Sequence, residues 1–84
     1  IGVFDLRTLQ LQKVIRGVSD PEQLVVHPDG RRLYVASEDT GTAVILDAET
    51  DDVLASLPVG GEPEGVGISP NGRFVYVTPK RTTR

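Results

Sequence analysis

Acidic side chains are the residues of this 84-residue chain whose type and spacing best suit binding chemistry. Half of its 12 Asp and Glu residues fall in predicted loops that would lie along one rim of the fold: Asp20, Glu22, Glu38, Asp39, Glu62 and Glu64. Carboxylates that converge on such a rim could hold a Ca²⁺-like cation or attract a basic partner. The alternative is a set of solvated loop charges, which Lys80, Arg81 and Arg84 offset near the end of the chain.

Catalytic chemistry finds little support among the remaining residues. His27 is the only histidine and could in principle act as a general base or a metal ligand, a haem ligand included. It directly precedes a predicted tight turn, so a local turn role is favoured. The chain has no Cys for a thiolate, and no Gly-x-Ser-x-Gly motif is present. We therefore assign no catalytic, cofactor or metal site, and a non-enzymatic protein is favoured.

Composition narrows the class of protein and its partners. Apolar residues make up 38% of the chain and aromatic residues 5%, which favours thin β layers built from Val, Leu, Ile and Ala. The net charge is −3, with no clustered positive face for nucleic acid. No apolar run is long enough to span a membrane, and no targeting signal is visible. The strand-like start at Ile1–Leu6 predicts a chain that begins partway through a longer protein.

An internal repeat organises the whole sequence. The turn tripeptide Pro28-Asp29-Gly30 recurs as Pro70-Asn71-Gly72, and the interval from Pro28 to Pro70 sets the length of the repeat. The same offset gives ten identical positions without a gap, whereas ordinary residue usage would give about three. These are the pairs 5/47, 8/50, 21/63, 22/64, 28/70, 30/72, 31/73, 34/76, 35/77 and 40/82. The sequence therefore divides into repeat 1 (1–42) and repeat 2 (43–84).

Each repeat is predicted to contain four short strands. Pro, Asp or Asn, and Gly form a tight turn between apolar runs, which is typical of a hairpin. A second hairpin turns at residues 47–52, and the alternation of Val53, Ala55, Leu57 and Val59 predicts a strand with one buried face. Four strands in a repeat of this length are typical of β-propeller blades. We predict an all-β propeller segment with one whole four-stranded antiparallel blade, about 22–59, and two flanking half-blades.

The run from Pro21 to Thr78 resembles the YVTN-type β-propeller repeats of surface-layer and periplasmic proteins. It is similar in detail to a branch found near pyrroloquinoline quinone-dependent alcohol catabolism systems. The motifs that carry the resemblance most specifically are the Gly-rich run 60–65, the turn 69–72 and Tyr76-Val77-Thr78. The resemblance implies a disc of seven or eight blades, a periplasmic or extracellular location, and members that bind partners.

Three functions follow as hypotheses from this resemblance and from the predicted blade phase. The first is a non-enzymatic binding scaffold, part of a larger propeller, that presents rim loops to a protein or small ligand. The second is the propeller part of a periplasmic haem- or quinone-linked redox enzyme. The third is a two-blade unit that closes a propeller with further copies of itself, since the outer strands near residues 1–6 and 74–78 would otherwise leave unpaired edges.

Overall fold

The computed structural model describes residues 1–80, and within them the fold is entirely β. Its eight strands are β1 (Gly2–Asp5), β2 (Gln10–Val14), β3 (Pro21–Val26), β4 (Arg32–Ser37), β5 (Thr42–Asp47), β6 (Val53–Pro58), β7 (Pro63–Ile68) and β8 (Val75–Pro79). All neighbouring pairs are antiparallel. The strands form a complete sheet β3-β4-β5-β6 between two hairpins, β1-β2 and β7-β8. The predicted whole blade with two half-blades is confirmed.

Tight turns close the hairpins β3-β4 and β7-β8 in the same way. The amide of Gly30 donates to the carbonyl of His27 at 2.8 Å, and the amide of Gly72 donates to the carbonyl of Ser69 at 2.9 Å. Both glycines have positive φ, 72° and 74°. This left-handed conformation costs a residue with a Cβ, which explains why Gly stands at both positions.

Aspartates organise the other type of turn, after β1 and after β5. Oδ1 of Asp47 accepts hydrogen bonds from the amides of Glu49 and Thr50 at 2.8 and 3.1 Å. Oδ1 of Asp5 accepts from the amides of Arg7 and Thr8 at 2.7 and 3.2 Å. An Asp side chain that bonds the backbone two and three residues ahead fixes the reversal without help from distant contacts.

The two central strands of the complete sheet, β4 and β5, are buried on both faces. On one face Leu33, Val35, Val44 and Leu46 are buried together with Ile15, and Ile1, Val3 and Val18 from the first hairpin and the loop after it pack against them. Alternate residues of a strand point to opposite faces, so the buried Tyr34 and Ala36 face the other way. There β7 lies against β3 and β4.

Contacts between the three sheets are polar as well as apolar. Oε1 of Gln23 in β3 accepts a hydrogen bond from the amide of Val66 in β7 at 2.8 Å. On the other side of the complete sheet, Nζ of Lys13 donates to the carbonyl of Ala48 and to Oδ1 of Asp51, both at 2.7 Å. The half-blades are thus fixed to the complete blade. No helix within residues 1–80 is long and apolar enough to cross a membrane.

Candidate functional site

Three of the predicted rim carboxylates come together beside the complete sheet. Asp20, Glu22 and Glu38 each present an oxygen, and these oxygens all lie within 4.8 Å of one another. We call these three residues the acidic triad. Asp20 and Glu22 are exposed, whereas Glu38 is half-buried. Among residues 1–80, no Lys, Arg or His forms an ion pair with any of the three.

The backbone places the triad through an irregularity at the start of β3. Pro21 pairs with Ser37 and Gln23 pairs with Ala36, so Glu22 is an extra residue in the ladder. A β-bulge of this kind redirects the side chain of the residue it inserts. Asp20 has a positive φ of 47°, and its carbonyl accepts a hydrogen bond from the amide of Glu38 at 3.2 Å. The loop before β3 is therefore joined to the end of β4.

The hydroxyl groups of Ser37 and Thr40 hold this corner together, a role that was not predicted from the sequence. The hydroxyl of Ser37, whose residue is 1% exposed, donates to the carbonyl of Ser19. Thr40 Oγ1 donates in turn to Ser37 Oγ at 2.9 Å. Thr40 is one of the ten identical repeat positions, and this identity was the one sign in the sequence that it has a structural role. Its repeat counterpart, Thr82, lies outside the described residues.

Burial and neighbouring charge together raise the pKa of the Glu38 carboxyl above its ordinary value. Desolvation is the largest cause, followed by repulsion from Glu22, with smaller contributions from Asp20 and Glu62. Lys80 acts in the opposite direction and lowers the pKa of Glu38. The surroundings of Glu38 thus oppose the ionisation of its carboxyl group.

The second repeat builds the same corner with different charges. Glu62 and Lys80 are the repeat counterparts of Asp20 and Glu38, and the amide of Lys80 donates to the carbonyl of Glu62 at 2.6 Å. A lysine therefore replaces the third carboxylate beside Glu62 and Glu64, and Glu64 is exposed on β7. Of the six predicted rim acids, only Asp20, Glu22 and Glu38 form a cluster of three.

The other predicted rim residues lie near the triad without joining it. Asp39 is exposed in the turn after β4, where the Ser19 hydroxyl lies 3.5 Å from its Oδ2. Glu62 is close enough to affect the pKa of Glu38. Arg81 and Arg84, which were expected to offset the acids, lie outside the described residues.

His27 lies in the opposite turn and connects two sheets. Its Nδ1 accepts a hydrogen bond from the amide of Asp29 at 3.0 Å, and its Nε2 lies 2.9 Å from the carbonyl oxygen of Gly72 and 3.0 Å from Nη2 of Arg32. Asp29 also accepts from the amide of Arg31 and pairs with Arg32, and these bonds lower its pKa to about 2. The role is partly the local one expected, with an added contact to the next half-blade.

Comparison with solved structures decides the architecture. Hydrazine synthase of Kuenenia stuttgartiensis contains a β-propeller, and part of it superposes on this chain with a TM-score of 0.87 and 29% sequence identity over 93% of the chain. The chain is a segment of a β-propeller. It covers 22% of the hydrazine synthase chain.

Curated relatives match over similarly small parts of their length. Antigen Lp49 of Leptospira interrogans is 27% identical over an alignment of 92 positions, which covers 93% of this chain and 20% of the antigen. The PE-PGRS family protein PE_PGRS18 of Mycobacterium tuberculosis is 35% identical over 52 residues, which cover 62% of this chain and 11% of that protein. No family model matches the chain. The chain thus spans about a fifth of the antigen.

Proposed function

We propose that this chain is a non-enzymatic binding segment of a YVTN-type propeller, and that its acidic triad binds a positively charged ligand at the rim. The observation that carries the proposal is the convergence of three carboxylate oxygens within 4.8 Å of one another. Like charges at this distance repel, and a cation placed among them turns that repulsion into attraction. A periplasmic or extracellular location, implied by the resemblance, is part of the proposal.

Two sources of positive charge fit the triad, a divalent cation and a basic protein segment. Ca²⁺ takes six to eight oxygen ligands, and three carboxylates supply up to six. A site so open to solvent belongs with the weaker extracellular Ca²⁺ sites, for which Kd is about 10⁻⁴–10⁻³ M. A basic segment would instead bind through long-range attraction and would lose affinity steeply with added salt.

The repeat supplies matched variants for the test. Glu38→Lys gives the first repeat the residue that the second repeat carries as Lys80, whereas Lys80→Glu would complete a second cluster of acids with Glu62 and Glu64. Calorimetric titration with CaCl₂, and separately with a lysine-rich peptide, measures binding to each variant. We expect Glu38→Lys to weaken binding by about tenfold or more, because it replaces a carboxylate that attracts the cation with an ammonium group that repels it.

Lys80→Glu, which adds negative charge at the second corner, provides a second test. The variant keeps the three carboxylates of the first site, removes the positive charge that lowers the pKa of Glu38, and adds a carboxylate beside Glu62 and Glu64; it should raise the number of bound Ca²⁺ ions or tighten peptide binding. Saturable binding of CaCl₂ that persists in added NaCl would identify a divalent cation as the ligand of the triad. Binding of the peptide alone, weakened by salt, would identify a basic protein segment as the ligand. If the unmodified chain binds neither probe at millimolar concentration, or if Glu38→Lys binds as well as the parent, the proposed site is wrong.

The likeness to part of hydrazine synthase, an enzyme by its name, is the observation behind a second candidate function, the propeller part of a haem- or quinone-linked redox enzyme. In that case the chain would position a haem or quinone held mainly by other parts of the parent protein, because the chain contains no Cys and one His. An absorbance spectrum of the full-length parent purified from its natural source tests this role. A cofactor band would support the enzyme, and its absence after reconstitution with haem and with quinone would support the scaffold.

A further inference from the structure

Asn71 is followed directly by a glycine and is the only Asn in the chain. Its counterpart in the first repeat is Asp29, which is also followed by a glycine. Both residues occupy the third position of a tight turn that the glycine amide closes, by donating to the carbonyl of Ser69 in one turn and of His27 in the other. The two repeats therefore hold an amide and a carboxylate at the same place in the same backbone.

Two hydrogen-bond donors hold the side-chain carbonyl of Asn71. Its Oδ1 accepts from the hydroxyl of Ser69 at 2.7 Å and from the amide of Arg73 at 3.0 Å. Donors aimed at a carbonyl oxygen stabilise the negative oxygen that forms when a nucleophile attacks the carbon. In the first turn, Oδ1 of Asp29 accepts from the amide of Arg31 at 2.8 Å in the equivalent way. The backbone thus supports an amide and an acid alike at this position.

Neighbouring hairpins leave this turn position accessible to water. Asn71 is exposed although the preceding hairpin lies beside its turn, with Nε2 of His27 2.9 Å from the Gly72 carbonyl oxygen. The side chain of Asp29 is 39% exposed although the following hairpin lies beside it. The two turns together sample a neighbour on each side, and the position is exposed in both.

We propose that Asn71 is a site of spontaneous deamidation, which gives the second turn the carboxylate that the first turn carries as Asp29. The backbone nitrogen of Gly72 attacks Cγ of Asn71 and forms a C–N bond. The bond from Cγ to Nδ2 then breaks, and ammonia leaves with the proton of the Gly72 amide. This site is independent of the acidic triad and of the ligand proposed for it.

Water completes the reaction by opening the cyclic succinimide that the attack produces. It adds its OH to one of the two ring carbonyl carbons and its remaining proton to the Gly72 nitrogen. Cleavage between that nitrogen and Cγ gives Asp, whereas cleavage between that nitrogen and the Asn71 backbone carbonyl carbon gives isoAsp. The sequence of steps consumes one water, releases one ammonia and needs no oxidant or reductant.

Features of the turn act on the rate in opposite directions. Gly72 has no side chain to shield its nitrogen, and the donors to Oδ1 activate the carbon under attack. The amide of Gly72 also donates to the carbonyl of Ser69 at 2.9 Å, and this bond must open before the nitrogen can attack. Because one backbone hydrogen bond has a modest net strength, the folded chain should deamidate no more than about tenfold slower than an unstructured peptide.

Intact mass spectrometry tests the site, with a synthetic peptide of residues 68–75 as the clock. The 84-residue chain and the peptide are incubated side by side at neutral pH, and we expect each to gain about 1 Da. The rate should rise with pH, because the attacking nitrogen must lose its proton. Asn71→Gln is the matched control, since its longer side chain would have to close a larger ring, and it should show no gain in the same interval.

The outcome decides the proposal in either direction. A mass gain in the parent chain that fragmentation assigns to Asn71, and that Asn71→Gln lacks, supports the site. No gain in the parent chain after about ten half-times of the peptide, or the same gain in Asn71→Gln, would overturn it.

The two products provide a second and separate measurement. Asn71→Asp reproduces the Asp product and should keep the thermal midpoint of the parent, because Asp29 already occupies the equivalent position. IsoAsp lengthens the backbone by a methylene and displaces the Gly72 carbonyl from Nε2 of His27. Molecules that an isoaspartyl methyltransferase modifies should therefore unfold at a lower temperature. A lower thermal midpoint for Asn71→Asp would contradict the equivalence of the two turns on which the proposal rests.

Discussion

Substitution of Gly72 by Ala should destabilise the chain more than the same substitution at Gly30. The two glycines occupy equivalent turn positions with nearly identical φ, 74° and 72°. A Cβ at Gly30 would meet no atom within 4 Å, whereas a Cβ at Gly72 would lie 2.5 Å from Nε2 and 2.7 Å from Cε1 of His27. The pair therefore separates backbone strain from steric conflict with one ring.

The magnitudes follow from the contacts. Ala in the left-handed region costs about 1–2 kcal/mol at either site. At Gly72 the ring must also move, which breaks the 2.9 Å contact from Nε2 to the Gly72 carbonyl, worth about 0.5–1.5 kcal/mol. The ring cannot simply turn away, because its Nδ1 accepts from Asp29 and it packs 6.0 Å from the ring of Tyr34. We expect Gly72→Ala to cost about 1 kcal/mol more than Gly30→Ala.

Urea unfolding at one fixed protein concentration measures the difference, since association would make the stability depend on concentration. His27→Ser provides the decisive background, because Ser69 is the residue that the second repeat places there. Without the ring, Gly72→Ala and Gly30→Ala should cost the same, and the cycle isolates the coupling. Equal costs in the parent chain, or an excess that persists in the His27→Ser background, would refute the reasoning.

Three further predictions concern the core and the charged turns. Leu46→Ala should lower the free energy of unfolding by about 2–5 kcal/mol, and Phe4→Ala at the equivalent exposed position should cost less, both by urea unfolding. The pKa of Asp47 is lowered by hydrogen bonds from the Thr50 and Glu49 amides, so its contribution is present above pH 3.8 and is lost as the pH falls through the folded pKa; Asp47→Asn should flatten the acid limb of a plot of thermal midpoint against pH. The raised pKa of Glu38 has the opposite sign, so Glu38→Gln should raise the thermal midpoint at pH 7, with a gain that shrinks as the pH falls towards the ordinary value of 4.5.

The strand order could be predicted because its determinants are local and occur twice. A Pro-Asp-Gly or Pro-Asn-Gly tripeptide fixes one hairpin, and an Asp two residues before a backbone amide fixes the other, whatever the chain does elsewhere. The interval between the two tripeptides then leaves room for four strands. The position of the complete blade within the chain follows from the first of these turns, Pro28-Asp29-Gly30. The structure confirms one complete sheet between two hairpins.

The composition of the acidic triad could be predicted only in part. Loop position alone singled out six acids, since loops before β3 and after β4 must meet when the two strands pair. Selecting Asp20, Glu22 and Glu38 from these needed the bulge that makes Glu22 an extra residue, and bulges have no reliable sequence signal. The contact of His27 with Gly72 could not be predicted from the sequence either, because it depends on how one sheet packs against the next.

The acidic triad depends on a residue difference between the repeats, Glu38 in one and Lys80 in the other, within corners whose backbone hydrogen bonds are alike. The backbone that places the charges is therefore separable from the charges themselves. Glu38→Lys should weaken ligand binding without altering the backbone of the corner. A variant that lost its β-rich fold together with ligand binding would mean that the Glu38 carboxylate is needed for the fold of the corner as well as for the ligand.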